Sequence, residues 1–412
     1  MPLLAGVARR EITPPVGLYM VGYGNRLLPN CGAREPLTAT ALTLRYDAVT
    51  VSVVACDLLA VTDATVQLVQ AQLTHPVLLC CSHTHSGPPP HAAAGSPSAY
   101  VVHLRWMVSQ IVDAVRESTA NVRPVTVRRG MSETHIAVNR RQRNADGSVS
   151  IGVNPDGPVD RSVTVLQFHD GRGQSVAALV NLACHPTVLD PGNVQASADW
   201  VGVMRDVVEA ETGAPVVFVQ GACADLNPRL NHTPGNRWGI RFDVGWQTAQ
   251  SVLEAMADAL PLPVDRLAHG QQVIDLPLEA KADFRRQVRR QFPLAAFEPV
   301  LDRFFPWEAR LTADAAGRLT VGMCVDVLRL GDVRFIGMGA EVFTEIGMAL
   351  KREGDMFAGV TNGCIGYLPA ATEHAAGGYE VDVAPYFFRL PGRLRVDAAE
   401  IAIDATQAIL RD

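Results

Sequence analysis

Short, β-branched apolar runs bounded by polar turns recur along the chain. Between them lie stretches whose apolar residues return every three or four positions. The first pattern predicts buried strands at residues 50–56 (TVSVVAC), 76–81 (PVLLCC), 162–168 (SVTVLQF), 175–183 (SVAALVNLA) and 215–219 (PVVFV). Two more, 325–330 (VDVLRL) and 333–338 (VRFIGM), flank Gly331-Asp332, a hairpin-turn dipeptide. The second pattern predicts helices at 63–73, 100–118 and 199–212. In the last of these, Ser197 or Asp199 caps the start, Trp200, Val203, Val207 and Ala210 form one stripe, and Gly213 stops it. Such alternation predicts an α/β protein whose sheet is mainly buried and flanked by helices. The hairpin makes the sheet mixed. The nearest approach to a linker is 260–280, with three prolines, and it is weak. One large domain spanning 1–412 is therefore expected, with a helical insertion around 281–305. At the start of that insertion Phe284, Val288 and Phe292 share a face of a basic helix. Gln and Asp on its polar side favour packing onto the body over lying on a membrane.

Composition narrows the function classes. Of 412 residues, 48% are hydrophobic, which excludes a disordered chain. A net charge of −6 gives no electrostatic basis for nucleic-acid binding. No apolar stretch reaches the ~18 residues of a membrane span. The first apolar residues precede rather than follow the basic pair Arg9-Arg10, unlike a secretory leader. The eight cysteines show no CxxC spacing and read as buried free thiols. A cytoplasmic protein without stable membrane association is the expectation; the oligomeric state stays open.

The chemistry collects at strand ends. TVSVVAC runs into Asp57, PVLLCC into Ser82-His83-Thr84-His85, SVAALVNLAC into His185-Pro186, PVVFV into GACADLNPR, and VRFIGMGA into Glu341. In an open α/β sheet ligands bind beyond the carboxyl ends of parallel strands. In extended backbone His83 and His85 point the same way, and neutral imidazole is a zinc ligand. Glu341 opens the helical pattern EVFTEIGMALKRE, so a helix-terminus role competes with a metal role. Two or three histidines with one carboxylate make a zinc site with an open position for water.

These motifs, in order, resemble the catalytic domain of the neutral/alkaline (non-lysosomal) ceramidase family. The resemblance runs through AGVARREITPPVG, MVGYG, SHTHSGP, AVNRR, ACHPT, SADWVG, VVFVQGACADLNPR, MGAEVFTEIG, NGCIGYLPA and GGYEV. It implies zinc held by His83, His185, Glu341 and Tyr367. It implies that His85 and Arg140 contact the substrate amide or its polar head, that Tyr379 faces substrate, and that Gly22 and Gly24 belong to a loop lining the site. Tyr367 comes from the resemblance alone. Where the family carries a nucleophilic serine this chain has Asn227, and an amide is no such nucleophile. It can donate to an oxyanion. The chain also ends soon after the catalytic motifs, without the family's C-terminal sandwich domain.

The expected activity is zinc-dependent hydrolysis of a carbon–nitrogen amide bond in a soluble small-molecule or N-acyl substrate by a metal-activated water. His85, Tyr367, Tyr379 and Asn227 would assist, Arg140 would anchor a polar group, and Asp57, Asp199 and Asp225 would orient ligand histidines. An esterase, lactonase or cyclic-amide hydrolase would use the same ligands. A non-catalytic metal-binding relative ranks third.

Overall fold

The computed structural model describes residues 1–92, 96–291 and 310–411. In chain order the strands of the first half are β1 (Leu4–Glu11), β2 (Thr38–Tyr46), β3 (Val49–Cys56), β4 (Val77–Cys81), β5 (Arg123–Glu133), β6 (Ala137–Arg143), β7 (Val149–Asn154), β8 (Ser162–Asp170), β9 (Ser175–Leu182) and β10 (Val216–Gln220). There follow β11 (Leu226–Pro228), β12 (Leu260–Leu262), β13 (Leu267–Ala280), β14 (Leu311–Ala313), β15 (Leu319–Leu330), β16 (Val333–Met338), β17 (Glu341–Val342), β18 (Met356–Ala358), β19 (Tyr367–Leu368) and β20 (Gly392–Leu394).

A nine-stranded sheet has the order β10-β9-β8-β5-β1-β2-β3-β4, with β12 on β5. Its two end pairs, β9/β10 and β3/β4, are parallel. Every pairing between them is antiparallel. A second sheet, β18-β16-β15-β13-β20, is built around the β15–β16 hairpin, where Leu330 pairs with Val333 across Gly331-Asp332 as the turn dipeptide predicts. The fold is thus mixed α/β, with helices such as Ser98–Ala120 packed on the sheets.

The two parallel ends of the large sheet face each other. Leu42, Val51 and Val53 from one end share a buried core with Leu179, Val217 and Val219 from the other, closed by Phe335 and Met356 of the second sheet. Burying apolar faces together supplies the driving force, at about 25 cal/mol per Å². The consequence is positional: carboxyl ends of strands from both sheets meet. Gly359 N–H donates to Gln220 O at 3.0 Å and Cys81 N–H to Val360 O at 3.3 Å, sewing β10, β4 and the end of β18 together.

Three local expectations change. Residues 260–280 are no linker, since β12 and β13 lie within the sheets. The helix Trp200–Thr212 is capped by Asp199 and ended by Gly213 at φ +66°, but its core face is Trp200, Val201, Met204 and Val208 while Ala210 is exposed. That helix also packs on Arg237–Ala257, where Gly245 admits Trp200 and Val203, so two neighbours widen the stripe. Glu341 does not open a helix: it pairs in β17 with Tyr367 of β19, and the helix starts at Thr344. Of the insertion at 281–305, Phe284–Gln291 is helical with Phe284 and Val288 buried against Val383 and Tyr386; Phe292 and the rest of it lie outside the described residues.

Candidate metal centre

His83 leaves β4 with φ +68°, a left-handed conformation rarely adopted by a non-glycine residue. Backbone outliers of this kind cluster at functional sites. Its turn is held by His83 N–H to Leu58 O at 2.9 Å, and it directs the ring inward, where it is 1% exposed. His185 follows β9 and is fully buried. Gln220, at the end of β10, ties the two together. Its amide accepts from Cys184 N–H at 3.1 Å and donates to Cys184 O at 2.8 Å and Ser82 O at 3.2 Å. Motif reading passes over Gln220, because a buried glutamine after an apolar strand carries no signature.

The ring nitrogens then define the chemistry. His83 Nδ1 lies 2.6 Å from Leu59 O, and His185 Nδ1 lies 2.6 Å from Cys223 O and 3.0 Å from Leu226 O. Carbonyls only accept, so each Nδ1 carries the proton and each Nε2 presents a lone pair. Those two Nε2 atoms face each other at 3.1 Å. Glu341 Oε2 lies 3.3 Å from one and 3.4 Å from the other. These separations are those of ligands around a single metal ion. A tetrahedral zinc bound to nitrogen at ~2.05 Å has ligand–ligand edges of about 3.3 Å. The alternative cation, a proton, is opposed by burial, which together with the Arg140 charge pushes His185 down to about 3. The donor set therefore fits a divalent metal ion.

His85 sits on the same cluster: its ligand atom and those of His83 and His185 all lie within 4.8 Å of one another. Gly22 O receives His85 Nδ1–H at 3.1 Å, which leaves Nε2 buried and without a hydrogen-bond partner among the described residues. Arg26 fixes this rim by donating to His85 O at 2.7 Å. Glu341 is placed by its N–H to Gly366 O at 2.8 Å, and strand pairing sets Tyr367 beside it.

Beside the cluster opens a cavity of about 120 Å³ walled by Tyr23, Leu59, Tyr367, Tyr379, Phe387 and Phe388, with Gly22, Gly24, His85 and Glu341 on its floor and rim. That is close to the ~150 Å³ cavity known to take one benzene. Tyr367 and Tyr379 meet edge to face, centroids 5.8 Å apart.

Arg140 and Asn227 stand apart from that wall. Arg140 is 5% exposed, and each of its guanidinium nitrogens has a partner. Nε donates to Glu380 at 2.9 Å, Nη2 to the Tyr367 hydroxyl at 3.0 Å, and Nη1 reaches His185 Nε2 at 3.3 Å and Asn227 Oδ1 at 3.5 Å. Asn227 Oδ1 also accepts from Thr187 at 3.5 Å. The three aspartates do not touch ligand histidines. Asp57 binds Thr38 and Arg205, Asp199 caps its helix, and Asp225 binds Thr344 and Asn139. Backbone carbonyls orient the rings instead. All eight cysteines are free, and Cys56, Cys81 and Cys184 are buried. No helix among the described residues is long and apolar enough to cross a membrane.

No family model matches the chain, and no curated protein does. Solved structures do. A ceramidase complexed with C2 aligns over 100% of this chain and 76% of its own, at 18% identity and a TM-score of 0.76. The neutral ceramidase from Pseudomonas aeruginosa aligns over 98% of this chain and 75% of its own, at 18% identity and a TM-score of 0.73. These superpositions show that the chain has the neutral ceramidase fold.

Proposed function

We propose that the protein is a zinc-dependent hydrolase of amide bonds in small, uncharged N-acyl substrates. One observation carries the reading: the Nε2 atoms of His83 and His185 and the unpartnered Glu341 Oε2 converge within 3.1–3.4 Å of each other beside an aromatic cavity. The fold neighbours, named as ceramidases, point the same way. His83, His185 and Glu341 would hold the ion, with Tyr367 next to them. Bound there, a divalent ion supplies a Lewis acid for the amide carbonyl and lowers the pKa of water toward ~7.

The remaining roles belong to the chain. His85 Nε2, unpaired and facing the cluster, is the group to carry a proton to the leaving amine. The Tyr367 hydroxyl accepts from Arg140, so its own proton is free to turn toward a substrate oxygen. Tyr379 lines the same cavity, packed edge to face on Tyr367. Asn227 supports Arg140 and is no nucleophile. The substrate class follows from the wall. Among the described residues no lysine or arginine lines the cavity, and the Arg140 guanidinium is turned to Glu380 and the Tyr367 hydroxyl. A neutral acyl group of about the bulk of a six-membered ring matches this space.

Matched neutral amides and esters of increasing acyl size, assayed with and without Zn²⁺, test the reading. Zinc-dependent turnover of the small neutral amide is the expected result. Turnover in metal-free protein, or preference for an anionic acyl group, would contradict it.

A further inference from the structure

Arg140 and Arg141 are adjacent, and along a regular strand adjacent side chains face opposite ways. Strand β6 is irregular at this point: its register against β7 shifts between Asn139 and Arg141. A bulge re-aims side chains. Here both guanidiniums reach one carboxylate. Glu380 Oε1 accepts from Arg140 Nε at 2.9 Å, and Oε2 accepts from Arg141 Nη1 at 2.7 Å. Glu380 is 2% exposed and lies in the π-helical turn Tyr379–Val383, next to the cavity residue Tyr379. Gly377 and Gly378, at φ +63° and +94°, lead into that turn. Arg141 secures it further through Gly377 O and Glu373 Oε2, each at 2.7 Å.

We propose that Glu380 is a positioning residue for the metal centre, holding Arg140 on the Tyr367 hydroxyl and away from Glu341. The charges decide the matter. Arg140 is buried among Glu380, Glu341 and Tyr367. A buried ion that loses its partner is strongly destabilised unless it finds another. Without the Glu380 carboxylate, the acidic neighbours left are Asp225, whose oxygens are taken by Asn139 and Thr344, and Glu341, whose unpartnered Oε2 is the oxygen a metal needs. Arg140 would turn to it, compete with the ion, and release Tyr367. The same loss would free the Tyr379 turn from β6. Glu380 thus couples cavity wall and ligand set through one carboxylate.

The test compares Glu380→Gln with Glu373→Gln in the full chain. Glu373 ties Arg141 and Arg143 but does not touch Arg140, so it reports the purely structural share of the network. Zn²⁺ titration of metal-stripped protein by calorimetry is the main readout. Glu380→Gln is expected to weaken zinc about 10–100-fold, the range for groups that orient metal sites. Glu373→Gln should bind zinc as the wild type does while losing thermal stability. Glu380→Asp, which keeps the charge but not the reach, covers the case in which the glutamine variant fails to fold, and should show an intermediate loss. Wild-type zinc affinity in the glutamine or aspartate variant, or equal loss in Glu373→Gln, would overturn the proposal. It uses the metal site of the proposed function but not the turnover: a chain that binds zinc in this Glu380-dependent way yet hydrolyses no amide refutes that function and leaves this proposal standing.

Discussion

The Nε2 atoms of His83 and His185, 102 residues apart in the chain, face each other at 3.1 Å with their Nδ1 protons committed to backbone carbonyls. Two lone pairs at that distance repel. The arrangement is held by strands buried for other reasons, with Gln220 bridging Ser82 and Cys184. The positions of both rings are thus set by backbone and side-chain hydrogen bonds of the chain itself.

Stripping metal with a chelator is accordingly expected to abolish amide turnover while the far-ultraviolet circular dichroism stays unchanged, and Zn²⁺ should restore activity. Glu341→Gln should reduce zinc-dependent kcat at least ~100-fold, more than the loss of an orienting group alone. Unfolding upon chelation would show that the ion is structural.

Gly22 and Gly24 should respond differently to alanine. A Cβ on Gly22 would stand 2.6 Å from His85 Cγ at a backbone φ of +107°, whereas nothing lies within 4 Å of one on Gly24. Displacing His85 by about 1 Å costs on the order of 100-fold in rate. Gly22→Ala should lose that much kcat/KM, and Gly24→Ala should stay within about threefold. Equal effects in steady-state kinetics would remove His85 from the chemistry.

Asn227→Ser probes the nucleophile. The side chain lies by Arg140 and Thr187, off the cavity wall, and the nearest imidazole, His185, already donates from Nδ1 to carbonyls. No covalent adduct should appear by intact-mass spectrometry during turnover. An acyl-enzyme in this variant would assign the position a nucleophilic role.

Acid stability should depend on His103. Its ring is 4% exposed, has no hydrogen-bond partner among the described residues, and is pushed down to about 4 by burial. The unfolded imidazole, near 6.5, binds its proton first as pH falls. The folded state therefore has its full stability above pH ~6.5 and loses it toward pH ~4. His103→Leu should flatten this slope and add about 1–3 kcal/mol by removing an unsatisfied polar group. Denaturant melts at pH 5 and pH 8 measure both effects; an unchanged slope would contradict the assignment.

Much of the fold was legible from local pattern. Strands such as Val333–Met338 coincide with their apolar runs, and Asp199 and Gly213 bound their helix as their side chains require. Within the site, His83, His85, His185 and Glu341 stood out because polar residues interrupted apolar strands at their ends. Arg140 was legible as a motif but not as a role. Its partner Glu380 comes 240 residues later, and where the register of β6 shifts, invisible to periodicity, Arg141 reaches the same carboxylate. Glu341 read as the start of a helix because EVFTEIG has helical spacing. Pairing with Tyr367 overrode that propensity, as tertiary contacts routinely do.

The opening pattern of apolar runs and polar strand ends thus determined most of the elements and which polar residues stand at strand ends, since both depend on neighbours within a few positions. Only the tertiary structure decided how those residues act. The ring protons of His83 and His185 are set by the carbonyls of Leu59, Cys223 and Leu226, and the guanidinium of Arg140 by Glu380 and Tyr367. Hydrogen-bond direction depends on three-dimensional geometry between distant segments, and that is what brings these histidines and one glutamate together beside the cavity.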